Sequence, residues 1–161
     1  MVNRLLSEHH VSGPPVDVSD IAEKEGARIV RNRLEDDLAG FVLRTGGKLV
    51  IGVNDRHNEN RQRFTIAHEL GHALLHDVDD VHVDHVFRFR SPLSAQAVDK
   101  DEIEANAFAA SLLMPRNMLT SRLQGIEIDV EDETLVRKLA EEFKVSRQAM
   151  SFRLLNVFPS Y

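Results

Sequence analysis

A chain of 161 residues, 42% hydrophobic and 29% charged, is long enough to bury a substantial core, and residues 1–161 are read as a single domain. Its net charge of −6 argues against general affinity for nucleic-acid phosphates, and the absence of cysteine excludes disulfides and thiolate metal sites. No apolar run approaches the roughly 20 residues of a membrane span, and Met1–Pro15 has no apolar signal-peptide core, so a cytoplasmic protein without a membrane partner is expected.

In chain order, residues 1–15 open with a short helical pattern, which Pro14-Pro15 converts to extended chain. Asp17–Glu25 carries Val18, Ile21 and Ala22 at helical spacing, with Gly26 as its C-terminal stop. Ala27–Arg31 reads as a strand. Leu38–Arg44 and Lys48–Val53 are β-branched runs joined by Thr45-Gly46-Gly47, a hairpin signal. Together they predict a small antiparallel β-sheet of about three strands. Asn54–Asn58 is a loop, with Asn58 placed to cap a helix over Glu59–His76. The acidic stretch Asp77–Asp84 reads as a loop interleaved with His82 and, just beyond, His85; Val86–Arg90 reads as a short strand and Ser91–Ala97 as a loop. Helices follow over Asp99–Met114 and Pro115–Gln124, and a C-terminal helical hairpin over 131–143 and 146–157. The fold class is α+β.

Chemistry concentrates in the helix over Glu59–His76, at His68-Glu69-Leu70-Gly71-His72. Imidazoles four residues apart project from one helix face about one turn apart, so His68 and His72 can grip one metal ion. Glu69 lies roughly 100° round the helix from His68, bordering the metal face without having to be a ligand. This pattern suits a zinc hydrolase, with Glu69 as general base toward a water polarised by the metal. Phe64, Ala67, Leu70 and Leu74 form the apolar stripe, off which the histidines lie. Gly71 costs about 1 kcal/mol in mid-helix relative to alanine, which points to close approach of another backbone or a substrate.

Catalytic zinc normally has three protein ligands. A third histidine at the spacing H-E-x-x-H-x-x-G-x-x-H would fall on Val78, with Leu75 in place of the glycine, so that arrangement is excluded. Glu102 is assigned as the third ligand, on a helix face shared with Asn106 and Ala109; Asn106 is assigned to hydrogen-bond a ligand histidine. Ala105 and Ala109 are small enough for close packing of two helices. Glu104 is the rival, pointing about 200° away from Glu102. His76 reads as a helix-end residue that favours the C-terminal dipole, and His82 and His85 as part of a solvated loop.

The stretch R-Q-R-F-T-I-A-H-E-L-G-H-A-L-L-H, followed after some thirty residues by E-I-E-A-N-A-F-A-A-S-L-L-M-P, resembles the ImmA/IrrE metallo-endopeptidase family. P-P-V-D-V-S-D-I-A and L-A-G-F-V-L-R are similar too, and the likeness covers residues 14–118. The resemblance implies a zincin-like metallopeptidase core holding one Zn2+ per chain, with His68 and His72 as ligands, Glu69 as catalytic base and, by the E-x-x-A-N pattern, Glu102 as the carboxylate ligand. It also implies a protein substrate, a helix-turn-helix repressor of the XRE type whose cleavage relieves transcription. The alternative is a non-catalytic regulator or toxin–antitoxin component that binds its partner without cutting it. His82, His85 and Arg63 are candidate oxyanion donors. An edge strand is expected to align the substrate peptide, and Ala39–Arg44 is the favoured one. Leu139–Leu154 has helix-turn-helix spacing with Lys144 where the turn usually has glycine, but Glu131, Asp132, Glu133, Glu141 and Glu142 balance its basic residues. No direct contact with nucleic acid is therefore expected; the hairpin packs on the peptidase core or docks the repressor.

Overall fold

The computed structural model describes residues 1–76, 81–85, 100–125 and 132–159, with 81–85 described by their backbone. Its helices and strands, in chain order, are α1 (Val2–Glu8), α2 (Val18–Lys24), β1 (Ala27–Asn32), β2 (Leu38–Thr45), β3 (Lys48–Asn54), α3 (Glu59–Leu75), β4 (Val81–His85), α4 (Lys100–Leu113), α5 (Arg116–Leu123), α6 (Glu133–Phe143) and α7 (Arg147–Val157). The α+β class is as expected. The strand expected over Val86–Arg90 and the loop over Ser91–Ala97 lie outside the described residues. No helix among the described residues is long and apolar enough to cross a membrane.

The chain forms two units, Val18–Ala109 and a second made of Met1–Asp17 with Ala110–Tyr161. The first unit holds the sheet. Gly46 and Gly47 both have positive φ, +54° and +75°, and close the β2–β3 hairpin with Thr45 opposite Lys48. A two-residue loop of this kind matches the right-handed twist of the flanking strands. Phe41 faces Gly52 across that ladder, and a Cβ on Gly52 would lie 2.2 Å from the Phe41 ring. Glycine is therefore the residue that lets the ring lie flat over β3.

The sheet differs in two respects from the antiparallel, three-stranded expectation. Its order is β1-β3-β2-β4, so it has four strands, and β1 runs parallel to β3. Alternation of apolar residues identifies strands but not their neighbours, and β1 pairs beyond the hairpin, on its far strand. The fourth strand falls in the acidic stretch read as a loop; the alternation of Val81 and Val83 was the signal there. A third expectation also fails. The Ala39–Arg44 strand is not an edge, because β2 pairs with β3 on one side and β4 on the other. The order instead leaves β1 and β4 at the two edges among the described residues.

Where β3 ends, the fully buried Asn54 organises the β1–β2 connection. Its amide donates to the carbonyls of Glu35 and Leu38, at 3.1 and 2.8 Å, and its Oδ1 accepts from the Leu34 and Arg56 backbone. Val42, Ile51 and Val53 on the sheet, Ile21 on α2, and Ile66, Ala67 and Leu70 on α3 form this unit's core.

In the second unit, Phe143, Met150, Leu154, Leu119 and Leu5 are fully buried. Asp132 caps α6 by accepting from the Thr134 and Leu135 N–H groups, and Ser146 caps α7 by accepting from that of Ala149. Lys144 ends α6 in the left-handed conformation, φ 52° and ψ 55°, its N–H returning to the Ala140 and Glu141 carbonyls. A side chain there carries a backbone cost of about 1 kcal/mol that glycine does not. Lys144→Gly should therefore raise the stability of the protein by about 1 kcal/mol. Thermal unfolding of the variant beside the parent checks this, and an unchanged or lowered midpoint would count against the strain.

Candidate metal centre

Helix α3 is set by its first turn. Asn58 adopts extended backbone and its Oδ1 accepts from the Arg61 N–H at 3.0 Å, so the helix starts in the register that buries Thr65 through Ala73. Ala67 and Leu70 of the expected stripe enter the core together with Ile66, whereas Phe64 and Leu74 are only half-buried; His68, Glu69 and His72 are buried as well, at 3%, 0% and 2% exposure. Polar side chains of this kind are buried only where a second surface covers them. That surface is α4. A Cβ on Gly71 would lie 3.0 Å from Phe108 and 3.2 Å from the Ala105 Cα, so the missing side chain of Gly71 and the small one of Ala105 allow the backbones to meet.

This contact brings Glu102 to the histidines. Its Oε2 lies 3.2 Å from His68 Nε2 and its Oε1 3.2 Å from His72 Nε2, while the two imidazole nitrogens are 3.1 Å apart. Asn106, one turn further along α4, places its Oδ1 3.1 Å from His68 Nδ1. The amide oxygen can only accept, so Nδ1 carries the ring proton and Nε2 presents its lone pair to the cluster. Glu104 does not join it. Its Oε2 is 3.2 Å from His76 Nε2, which also lies 3.5 Å from Asp101 Oδ1. The hydrogen bond with His76, then the one with Lys100, holds the Glu104 carboxyl below its ordinary range.

The donor set suits a divalent ion. The two imidazole Nε2 atoms lie 3.1 Å apart, and each is 3.2 Å from a different oxygen of the Glu102 carboxylate. An ion bonded tetrahedrally at about 2.0 Å has ligand atoms about 3.3 Å apart, close to these separations. Glu102, 18% exposed in its side chain, also gains from a shared cation what its lost hydration no longer supplies.

Glu69 lies against the sheet. A Cβ on Gly40 of β2 would sit 3.6 Å from Glu69 Oε1 and only 2.5 Å from Thr65. Gly40 thus lets β2 approach α3 where the carboxylate lies. Sequence reasoning missed this residue, whose signal was a lone glycine inside a β-branched run. It also gave His76 only a helix-end role. Of the other singled-out residues, Arg63 lies on α3 and the side chains of His82 and His85 lie outside the described residues.

The model of the Peptidase_M78 family, described as the IrrE N-terminal-like domain, matches residues 22–155, and the chain belongs to that metallopeptidase family. It is 27% identical to the "uncharacterized immunity region protein 2" of Bacillus phage phi105 over 141 residues, covering 88% of this chain and 82% of the phage protein. It is 36% identical to the radiation response metalloprotease IrrE of Deinococcus radiodurans over 75 residues, 47% of this chain and 22% of that protein. For the same-named Deinococcus deserti protein the identity is 38% over 74 residues, 46% of this chain and 25% of that one. The chain thus spans a quarter or less of the Deinococcus relatives. A solved structure described as a Mycobacterium tuberculosis transcriptional regulator shares the fold, with a TM-score of 0.66 at 16% identity, over 96% of this chain and 44% of that one.

The close approach at Gly71 gives a prediction. Gly71→Val should cost about 1–3 kcal/mol of stability and weaken divalent-metal binding, because the added side chain meets the Phe108 ring and also the Ala105 backbone, which cannot swing aside. Thermal unfolding with and without metal checks both effects; full metal binding by a stable variant would contradict the proposed packing.

Proposed function

We propose that this chain is a zinc-dependent endopeptidase of the cytoplasm that cuts a regulatory protein, an XRE-type helix-turn-helix repressor. The observation that carries the reading is the meeting of His68, His72 and Glu102 at one point, with the fully buried Glu69 next in the chain to His68. His68 and His72 hold zinc through Nε2 and Glu102 through its carboxylate, one ion per chain. Zinc in such a site polarises a scissile carbonyl and acidifies water in its open position to a pKa of about 7.

The remaining chemistry belongs to the side chains. Asn106 keeps the His68 ring in the tautomer that offers Nε2. Glu69 takes a proton from the attacking water and delivers it to the leaving amine. Its position between α3 and Gly40 of β2 holds the carboxylate away from bulk solvent. The substrate adds as a strand at the outer edge of β4, which pairs with β2 at Gly40, the residue beside Glu69. A regulatory substrate is supported by the family resemblance in the two helical motifs and by the phage relative, which is named as an immunity region protein. With a net charge of −6, the chain acts on the repressor rather than on its DNA site.

Glu69→Gln separates binding from cutting. The variant should fold, hold one zinc per chain by elemental analysis, and cleave an XRE-type repressor substrate at least about 100-fold more slowly. If Glu69→Gln binds zinc and relieves repression as fully as the parent, the chain works by binding its partner without cutting it.

A further inference from the structure

His72 has a second ring nitrogen, and it lies within hydrogen-bond distance of His76. His72 Nδ1 lies 3.2 Å from His76 Nδ1, and His76 Nε2 lies 3.2 Å from Glu104 Oε2, with Asp101 Oδ1 at 3.5 Å. His76 is held for this contact. It follows the last residue of α3 with extended backbone, φ −124° and ψ 156°, while its N–H still donates to the His72 carbonyl at 3.0 Å. The two rings stand 5.2 Å apart, tilted by 55°, and the His76 side chain is 11% exposed.

We propose that His76 is a positioning residue for the metal centre, which accepts the His72 Nδ1–H and passes the hydrogen bond on to Glu104. The inference rests on the reading of His72 as a metal ligand through Nε2. A neutral imidazole has one ring proton. If Nε2 offers its lone pair to a metal, the proton is on Nδ1, which can only donate toward His76. His76 Nδ1 must then accept, so its own proton sits on Nε2 and points at the Glu104 carboxylate. Every hydrogen bond in the series His72, His76, Glu104 thus runs in one direction, fixed by the metal at its inner end and by a carboxylate at its outer end.

Two consequences follow. His76, Asp101 and Glu104 bring three donor atoms close enough to suggest a second metal site. The direction of the hydrogen bonds excludes an ion there while the first is bound, because the nitrogen facing the carboxylates carries the proton. The two glutamates of Glu102-Ile103-Glu104 also acquire separate tasks on one row of histidines. Glu102 meets His68 and His72, and Glu104 meets His76. His72 is therefore supported through an intermediary, unlike His68, which Asn106 touches directly.

The test uses zinc binding and ring tautomers rather than activity. In the zinc-loaded full chain, nitrogen-15 NMR of the histidine rings should show His76 protonated on Nε2 and unprotonated on Nδ1. Zinc affinity, measured by competition with a chromophoric chelator, should fall about 10- to 100-fold in His76→Phe, which removes the acceptor and keeps a ring. His76→Asn places an amide oxygen where Nδ1 was and should recover most of that loss. The parent should bind one zinc even with the metal in excess. The proposal is overturned by a His76 ring protonated on Nδ1, by parental affinity in a folded His76→Phe, or by a second zinc that His76→Phe loses. A parent chain that binds no zinc at all would overturn the metal site itself, and the relay with it.

Discussion

The backbone contact between α3 and α4 at Gly71 and Ala105 is the constraint on which the site depends. Two helices carrying ordinary side chains pack with axes about 8–10 Å apart, and small residues at the crossing permit the closest approach. Here a glycine on one helix meets an alanine on the other, and a Cβ on Gly71 would already press on Phe108 and on the Ala105 Cα. With that contact, the Glu102 carboxylate on α4 lies 3.2 Å from each of the two Nε2 atoms of α3, which are 3.1 Å apart. The cost of glycine in mid-helix, about 1 kcal/mol, is borne at the position that brings Glu102 to the histidines.

The sheet uses the same device on the other side of α3. Gly40 brings β2 against Thr65 and Glu69, and Gly52 makes room for the Phe41 ring that lies over β3. Glu69 is thus covered by a strand, while His68 and His72 are covered by a helix. Residues adjacent in sequence are sorted onto two surfaces by the 100° step of the helix: His68 and His72 toward α4, Glu69 toward the sheet. Of the polar groups enclosed this way, the two histidines are met from outside the cluster, His68 by Asn106 and His72 by His76.

Much of this was legible in the residues. The period of α3, the Asn58 cap, the glycine turn of the hairpin and the helix carrying Glu102 all have local signals, and the structure places each close to its expected bounds. Gly71 was informative because its local cost had no local explanation. What was not legible is pairing. Nothing in Ala27–Arg31 says that it lies beside β3 rather than β2, and the carboxylates of the segment before His85 masked the alternation of Val81 and Val83. The edge expected at Ala39–Arg44 failed for the same reason, since an edge is defined by which strand is absent. Glu104 was recognised as pointing away from Glu102, but its partner was not, because His76 reaches it only after α3 ends and the chain becomes extended.

The central claim is that His68, His72 and Glu102 together hold one divalent ion. X-ray absorption at the zinc edge of the loaded full chain measures this most directly. It should show two imidazole nitrogens and oxygen neighbours at about 2.0–2.1 Å, and Glu102→Ala should keep the imidazoles while losing affinity. An unchanged spectrum and affinity in Glu102→Ala, or a zinc shell with fewer than two imidazoles, would contradict it.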